Sequence, residues 1–170
     1  MSNRERETLI EEVSREIAEF QSASDLVDEA AATRLGVNRT DQRCLGLLFL
    51  SGPMTAGQLA QASGLSPGAA TTALDRLEQA GYARRVRDPN DRRSVFIELT
   101  PEAQQLIDEI YGPIGQAGQV SLARYTDEEL AFLRDFLREG RALQTEHAAR
   151  IRAGRLPAAA KKRSGRRSVQ

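Results

Sequence analysis

Apolar residues recur at helical spacing along the first part of the chain, with acidic residues and arginines between them. This periodicity predicts a long helix over residues 5–34 that ends near Gly36, because glycine is a favoured helix terminator. A second apolar run begins where Thr40 can cap a helix, and it stops at Ser51-Gly52-Pro53. The pattern therefore predicts two helices of unequal length before residue 53.

The last third of the chain shows the same periodicity. Thr100-Pro101 opens a helix, since a hydroxyl residue followed by proline suits a helix start. Glycines and a proline between residues 112 and 118 interrupt the apolar pattern, so we expect a kink or a break there. Thr126 and Glu129 then form a capping-box pair that opens a final helix, which ends near residue 152.

The middle of the chain predicts two short helices separated by a tight turn. Residues 55–62 predict the first helix, and Ser-Gly-Leu at 63–65 interrupts it. Ser66 and Pro67 restart a helix that runs to about residue 80, because serine caps helices and proline is tolerated at the first helical position. This arrangement is a helix-turn-helix, whose second helix is the one that enters a major groove.

The second helix of this pair has two chemically different faces. We expect an apolar face to pack into the core with the preceding helix and turn, formed by Leu59, Leu65, Ala70, Leu74 and Leu77. The opposite face carries small, hydroxyl and charged residues, which are Gly68, Thr71, Thr72, Asp75 and Arg76. The second face is therefore the one available to DNA.

Two segments rich in β-branched residues follow, at 83–87 and 94–99, and they predict the strands of a hairpin. Asp88-Pro89-Asn90-Asp91 between them favours a turn. From residue 83 to residue 97, five arginines stand against two aspartates, which is a net charge of +3. A hairpin after a recognition helix is a wing, and arginine on a thin loop suits the narrow, electronegative minor groove.

The run that begins at Leu74, LDRLEQAGYARRVRDPNDRRSVFIELT, resembles the MarR family of winged-helix transcription regulators. The resemblance covers about residues 38–105 well and the flanking helices loosely. It implies that an acidic wing residue, Asp91, braces Arg93 in the minor groove, with Arg92 as a neighbour. It also implies that the N- and C-terminal helices form a dimer and that a cleft often holds small aromatic or phenolic compounds.

The expected fold class is mainly α with a small β-hairpin wing, a winged helix-turn-helix flanked by dimerisation helices. We expect four segments: an N-terminal dimerisation helix (1–36), the DNA-binding domain (37–100), C-terminal dimerisation helices (101–153) and a disordered basic tail (154–170). The outer helices carry more apolar surface than so small a domain buries alone, which favours a C2 homodimer. Two recognition helices then read an inverted repeat. The dimer contacts expected are Leu9, Ile10, Val13, Ile17, Leu133, Phe136 and Leu137.

The DNA contacts expected come from both parts of the winged helix. Threonine cannot fork onto guanine as arginine does, and Arg76, the only long basic residue of the recognition helix, favours phosphate. We therefore expect few direct base contacts from the recognition helix, and we expect recognition of DNA shape by the wing to be more important. The recognition helix is expected to supply Ser66, Pro67, Gly68, Ala69, Thr71, Thr72 and Arg76. The wing is expected to supply Arg84, Arg87, Asp91, Arg92 and Arg93.

Composition narrows the function classes. The formal net charge is zero, but residues 155–170 hold six basic residues and no acid, so residues 1–154 carry −6. The tail is either an electrostatic arm for DNA or a solvated end, and the sequence leaves both open. No run of eighteen apolar residues exists, which predicts a cytoplasmic protein without a membrane span. One cysteine and one histidine predict no metal or cofactor, and the lack of a catalytic constellation predicts no enzyme.

Two alternatives to an effector-controlled repressor stay open. Cys44 is either a thiol that senses oxidation or, among its leucine neighbours, a buried and inert one. The winged helix is either a DNA-binding element or a protein-interaction module, against which the arginines of the wing argue. If a small-molecule effector exists, its cleft is expected between the first helix, the Cys44 helix and the Tyr111 helix. His147 is expected to be an exposed or a capping residue of the last helix.

Overall fold

The computed structural model describes residues 2–87 and 94–155. Its helices are α1 (Asn3–Leu35), α2 (Arg39–Ser51), α3 (Ala56–Ser63), α4 (Pro67–Gln79), α5 (Pro101–Leu122) and α6 (Asp127–Arg152), and its strands are β1 (Met54–Thr55), β2 (Ala83–Arg87) and β3 (Val95–Leu99). The mainly helical fold with a small sheet is the one the pattern predicts. The chain divides into two compact units, Met1–Gly115 and Gln116–Gln170. The wing-tip residues Asp91, Arg92 and Arg93 and the predicted tail from residue 156 lie outside the described residues.

Helix ends follow the local chemistry closely. α3 begins with the predicted capping box, in which Thr55 Oγ1 accepts from the Gln58 N–H at 3.2 Å and Gln58 Oε1 accepts from the Thr55 N–H at 2.8 Å. Gly64 ends the helix with φ of 70°, a conformation that glycine adopts without strain. Ser66 then caps α4, so the helix-turn-helix forms where the sequence predicts it.

The structure corrects two expectations about where helices start and stop. The N-cap of α2 is Asn38 rather than Thr40, because Asn38 Oδ1 accepts from the Asp41 N–H at 3.0 Å and starts the helix one residue before Thr40. Of the kink or break expected between residues 112 and 118, the break is absent, because α5 runs continuously through Pro113; the kink stays a prediction. A proline normally disfavours helical backbone at the residue before it through a clash with that residue's Cβ. Gly112 has no Cβ, which removes part of this clash and lets the helix continue.

The sheet is antiparallel with strand order β1-β3-β2. β2 and β3 form the hairpin, with Arg85 opposite Ile97, and the two-residue β1 pairs Met54 with Ile97 on the other edge. β1 therefore extends the hairpin to a three-stranded sheet. It closes one edge of β3 and joins the end of α2 to the start of α3.

One hydrophobic core holds the winged helix together within Met1–Gly115. Its largest fully buried side chains include Leu45 of α2, Leu59 of α3, Leu74 and Leu77 of α4 and Ile97 of β3. The predicted apolar face of α4 is confirmed at Ala70, Leu74 and Leu77 and extends to Ala73, whereas Leu65 is half-buried. Packing on one face holds α4 with its other face exposed.

Candidate nucleic-acid interface

The exposed face of α4 is formed by small and hydroxyl residues. Ser66 Oγ accepts from the Ala69 N–H at 3.2 Å, and Pro67 occupies the first helical turn. The predicted recognition residues at this end are all exposed: Ser66, Pro67, Gly68, Ala69, Thr71 and Thr72. The structure therefore brings them together on one accessible surface.

The two threonines on this face bind the backbone of their own helix. Thr71 Oγ1 donates to the Pro67 carbonyl and Thr72 Oγ1 donates to the Gly68 carbonyl, each at 3.0 Å. This back-bonding pattern occupies a hydroxyl proton with a carbonyl one turn earlier. The hydroxyl oxygens therefore point toward the preceding turn.

Arg76 makes a two-point ion pair with Asp41 of α2. Its Nε lies 2.8 Å from Asp41 Oδ2 and its Nη2 lies 2.5 Å from Oδ1. The Asp41 side chain is 5% exposed and the Arg76 side chain 44%. The hydrogen bonds to Asp41 raise the pKa of Arg76 above its ordinary value. Sequence reasoning missed this partner, and the predicted phosphate contact of Arg76 stays a prediction.

Arg85 of β2 connects the wing to the recognition helix. Its Nη2 donates to Asp75 Oδ1 at 2.7 Å, its backbone N–H donates to Glu78 Oε1 at 3.1 Å, and its Nη1 also pairs with Glu78. These bonds, led by the one to Asp75, raise the pKa of Arg85. The base of the wing is therefore tied to α4 by charge as well as by the chain.

The other described wing arginines differ from each other. Arg84 pairs with Glu98 across the hairpin, with Nε 2.7 Å from Oε1; Arg84 is exposed and Glu98 is half-buried. Arg87 ends β2, is exposed, and makes no ion pair within the described residues. Among the described wing arginines, Arg87 is thus the one whose charge no described carboxylate neutralises.

A mostly apolar cavity of about 540 Å³ lies between α1, α2 and α5, within Met1–Gly115. Its polar end is Tyr111, whose hydroxyl donates to Asp28 Oδ1 at 2.9 Å and accepts from Gln42 Nε2 at 3.0 Å. Burial raises the pKa of Tyr111, and its bond to Gln42 opposes this. The three helices that line the cavity are those named from the sequence. Its apolar wall includes Leu35, Leu45, Leu47, Phe49, Leu50, Ile107 and Ile114.

Cys44 lies on the core side of α2 and is fully buried. Burial, followed by the nearby Asp41 charge, raises the pKa of its thiol. Since the thiolate is the reactive form, a buried thiol with a raised pKa is a poor nucleophile. The geometry therefore favours the inert interpretation of Cys44. His147 is exposed on α6, as expected.

The outer helices expose apolar side chains in each unit. On α1, Leu9 and Ile10 are 49% and 54% exposed, and Val13 and Ile17 are also exposed. On α6, Phe136 and Leu137 are exposed while Leu133 is half-buried. Within the described residues, α6 contains no fully buried side chain. Each predicted dimer residue therefore lies on a helix whose apolar surface its own unit leaves largely uncovered.

A short helix, a glycine turn, a second helix with an exposed polar face and a β-hairpin define a winged helix-turn-helix. The sequence model of the MarR family matches residues 37–95. YcgE of Bacillus subtilis (strain 168), described as an uncharacterized HTH-type transcriptional regulator, is 37% identical over 127 residues, which are 75% of this chain and 82% of that protein. The chain belongs to the MarR family of transcriptional regulators.

Solved structures show the same fold. A MarR family protein from Bacillus stearothermophilus matches with a TM-score of 0.57 and 23% identity, over 85% of this chain and 99% of that one. NadR in complex with 4-hydroxyphenylacetate matches with a TM-score of 0.55 and 26% identity, over 72% of this chain and 89% of that one. Membership of the MarR family of transcriptional regulators makes the winged helix a DNA-binding element. In the described part of the chain, no helix has the length and apolarity needed to cross a bilayer.

Proposed function

We propose that this regulator is a homodimeric repressor that binds an inverted-repeat operator and acts in the cytoplasm. In this proposal the recognition helix α4 lies in the major groove, and the wing reaches the adjacent minor groove through Arg93, with Asp91 bracing it and Arg92 beside it. Residues 37–100 act as the DNA-binding segment. Residues 1–36 and 101–153 act as the dimerisation segments.

The observation that carries the proposal is the contrast between the two faces of α4. Leu74 and Leu77 are fully buried in a core shared with α2, α3 and β3, while Thr71 and Thr72 are exposed. A helix held on one face by a core, with its N-terminal residues accessible, has the geometry that major-groove readers use. A protein-interaction module would need no concentration of arginine on the hairpin.

The apolar faces of α1 and α6 support the dimer. Large apolar side chains such as Ile10 and Leu137 are exposed at several positions along each helix, and apolar surface exposed in this amount marks an interaction site. A second copy is the occupant proposed, because a two-fold axis presents two recognition helices to two half-sites.

A binding experiment with DNA from upstream of the gene tests the repressor proposal. We expect fluorescence anisotropy to give a salt-dependent, saturable Kd that survives excess non-specific DNA, and sedimentation to give a dimer at micromolar concentration. Transcription in vitro from the same promoter should fall when the protein is added. A rise in transcript level would show that the protein is an activator and not a repressor. A protein that is monomeric and does not bind duplex DNA in low salt would contradict the whole proposal.

We infer that the cavity between α1, α2 and α5 takes a small aromatic or phenolic effector. Its apolar wall and its polar end at Tyr111 suit an aromatic ring with one polar group. NadR, a relative by structure, is described in complex with 4-hydroxyphenylacetate. A ligand that prefers a dimer whose recognition helices are wrongly spaced for DNA would lower DNA affinity by its differential binding.

The effector proposal has a direct test. We expect a phenolic ligand to raise the melting temperature of the protein and to weaken operator binding, and Tyr111→Phe to reduce both effects. Tyr125→Phe removes the hydroxyl of an exposed tyrosine outside the cavity lining, so it is the matched control and should change neither effect. Melting temperatures that stay constant across a panel of phenolic compounds would contradict the effector proposal and leave the repressor proposal intact.

A further inference from the structure

We propose that Thr71 and Thr72 read thymine methyl groups, so that the operator carries A·T pairs beneath the start of α4 and needs no guanine there. This inference rests on the proposed function, because it requires α4 to lie in the major groove. It deepens that function by naming the base class that the recognition helix selects.

The first support is the direction of the threonine side chains. Each Oγ1 donates to a carbonyl one turn earlier in the helix, at Pro67 and at Gly68. Substituents on Cβ are staggered, so a hydroxyl turned back toward the preceding turn leaves the Cγ2 methyl in a different direction. Both side chains are exposed, and they therefore offer methyl groups and not free hydroxyl protons to the groove.

The second support is that the recognition surface lacks a free guanine reader. Arginine forked onto guanine is the commonest specific contact in the major groove. Arg76 is the arginine of α4, and Asp41 accepts from its Nε and Nη2, so that edge of the guanidinium is not available to fork onto guanine. Asp75, which could accept from a cytosine amino group, is taken by Arg85. Glu78 also pairs with Arg85, and Gln79 stands at the C-terminal end of α4, away from the residues that usually reach bases.

The third support is the size of the neighbouring side chains. Gly68 and Ala69 precede the threonines, and a Cβ added at Gly68 would meet no atom within 4 Å. The start of α4 therefore presents a low, smooth surface that can approach the groove floor closely. Among base-edge groups in the major groove, the thymine C5-methyl is the one that apolar contacts recognise.

Two pairs of variants separate methyl contact from hydroxyl contact. Thr71→Val and Thr72→Val keep the methyl and replace the hydroxyl, whereas Thr71→Ser and Thr72→Ser keep the hydroxyl and remove the methyl. Each variant is measured in the full-length protein on an operator selected from random DNA. Each thymine of the half-site is also replaced singly by deoxyuracil, which pairs in the same way but lacks the C5-methyl.

We expect deoxyuracil at one or two positions of each half-site to weaken wild-type binding about fourfold, the value of one buried methyl group. The valine variants should keep the affinity and this sensitivity. The serine variants should bind about fourfold more weakly and lose the sensitivity at the partner thymine. Circular dichroism melting and unchanged non-specific DNA binding confirm that each variant is folded.

Three results would overturn the inference. The first is wild-type binding whose affinity does not change with any deoxyuracil substitution. The second is serine variants that bind as tightly as wild type while the valine variants lose affinity. The third is a set of selected half-sites with guanine or cytosine throughout the major-groove contact region. In all three the protein still binds an inverted repeat, so the proposed function stands. A protein that enriches no DNA would overturn the proposed function and the inference together.

Discussion

α1 and the winged helix both contain helices with an apolar face, but that face is buried in the winged helix and exposed over most of α1. In the winged helix, Leu59, Leu74 and Leu77 are buried against one another within a single chain. Over most of α1 the apolar side chains stay exposed, and the helix becomes buried only at its C-terminal end, at Ala31, Ala32 and Leu35. Helical periodicity shows that a face is to be covered, but it does not show whether the same chain or a second one covers it.

Charge shows the same contrast between Met1–Gly115 and α6. In the winged helix, Asp41 and Arg76 are thirty-five residues apart in sequence, and Asp75 and Arg85 ten. On α6 the ion pairs are local, such as Arg150 with Glu146, and they are exposed on both sides. Exposed local pairs contribute little to stability, whereas pairs between elements orient those elements. The ion pairs of the winged helix therefore fix the orientation of its elements, whereas those of α6 lie on an exposed helix surface.

The largest effect is expected from substitutions in the proposed dimer interface, on the exposed apolar faces of α1 and α6. Ile10→Asp and Leu137→Asp should each convert the dimer to a monomer, because a charge buried in an apolar interface has no partner. Operator affinity should fall by about a hundredfold or more, since the second half-site contact is lost. Sedimentation velocity and anisotropy measure the two effects, and Ile10→Leu is the matched control. Variants that stay dimeric would show that these faces are not the interface.

The next largest effect is a loss of stability when a buried side chain of the winged-helix core is shortened. Leu74→Ala should lower the free energy of unfolding by about 3 kcal/mol, because it removes a fully buried side chain and leaves a cavity. Leu50→Ala, at a position 81% exposed on α2, should change it by less than about 0.5 kcal/mol. Urea unfolding followed by circular dichroism measures both. Equal losses would contradict the division into covered and uncovered leucines.

A smaller effect separates the DNA-contacting charges from those that hold the fold. Arg93→Ala should weaken operator binding and reduce the slope of log K against log salt by about 0.9, the value for one phosphate-type contact. Arg84→Ala should change the slope less, because Glu98 already neutralises that guanidinium. An Arg93→Ala protein with wild-type affinity and the wild-type dependence of log K on log salt would show that Arg93 of the wing does not contact the minor groove.

The smallest effect is the pH dependence that Cys44 confers. Burial raises the pKa of its thiol in the folded protein above the ordinary value of 9.0, so the folded state holds the proton more tightly than the unfolded chain. Stability should therefore fall as pH rises above about 9, and it should fall less steeply in Cys44→Ala. Unfolding free energies from pH 7 to pH 10 give the two slopes. Parallel slopes would contradict a shifted thiol.

The features that sequence reasoning predicted correctly depend on contacts within four residues. The Thr55–Gln58 and Thr126–Glu129 capping boxes and the Gly64 turn each form within one helical turn. The errors also had local causes, because two candidate caps lay close together at Asn38 and Thr40 and because Gly112 made Pro113 tolerable. Local chemistry therefore located the helix-turn-helix and the wing before any fold was known.

By itself, then, the sequence determined the order of the elements, their caps, the two faces of α4 and the membership of the MarR family, since hydrogen bonds and periodicity over a few residues carry that information. Tertiary structure alone decided that Asp41 holds Arg76, that Arg85 ties the wing to α4 and that Asp28, Gln42 and Tyr111 meet at one end of a cavity. These partners are up to eighty-three residues apart. Many carboxylates could have paired with each arginine, and only the packing of the helices selects one.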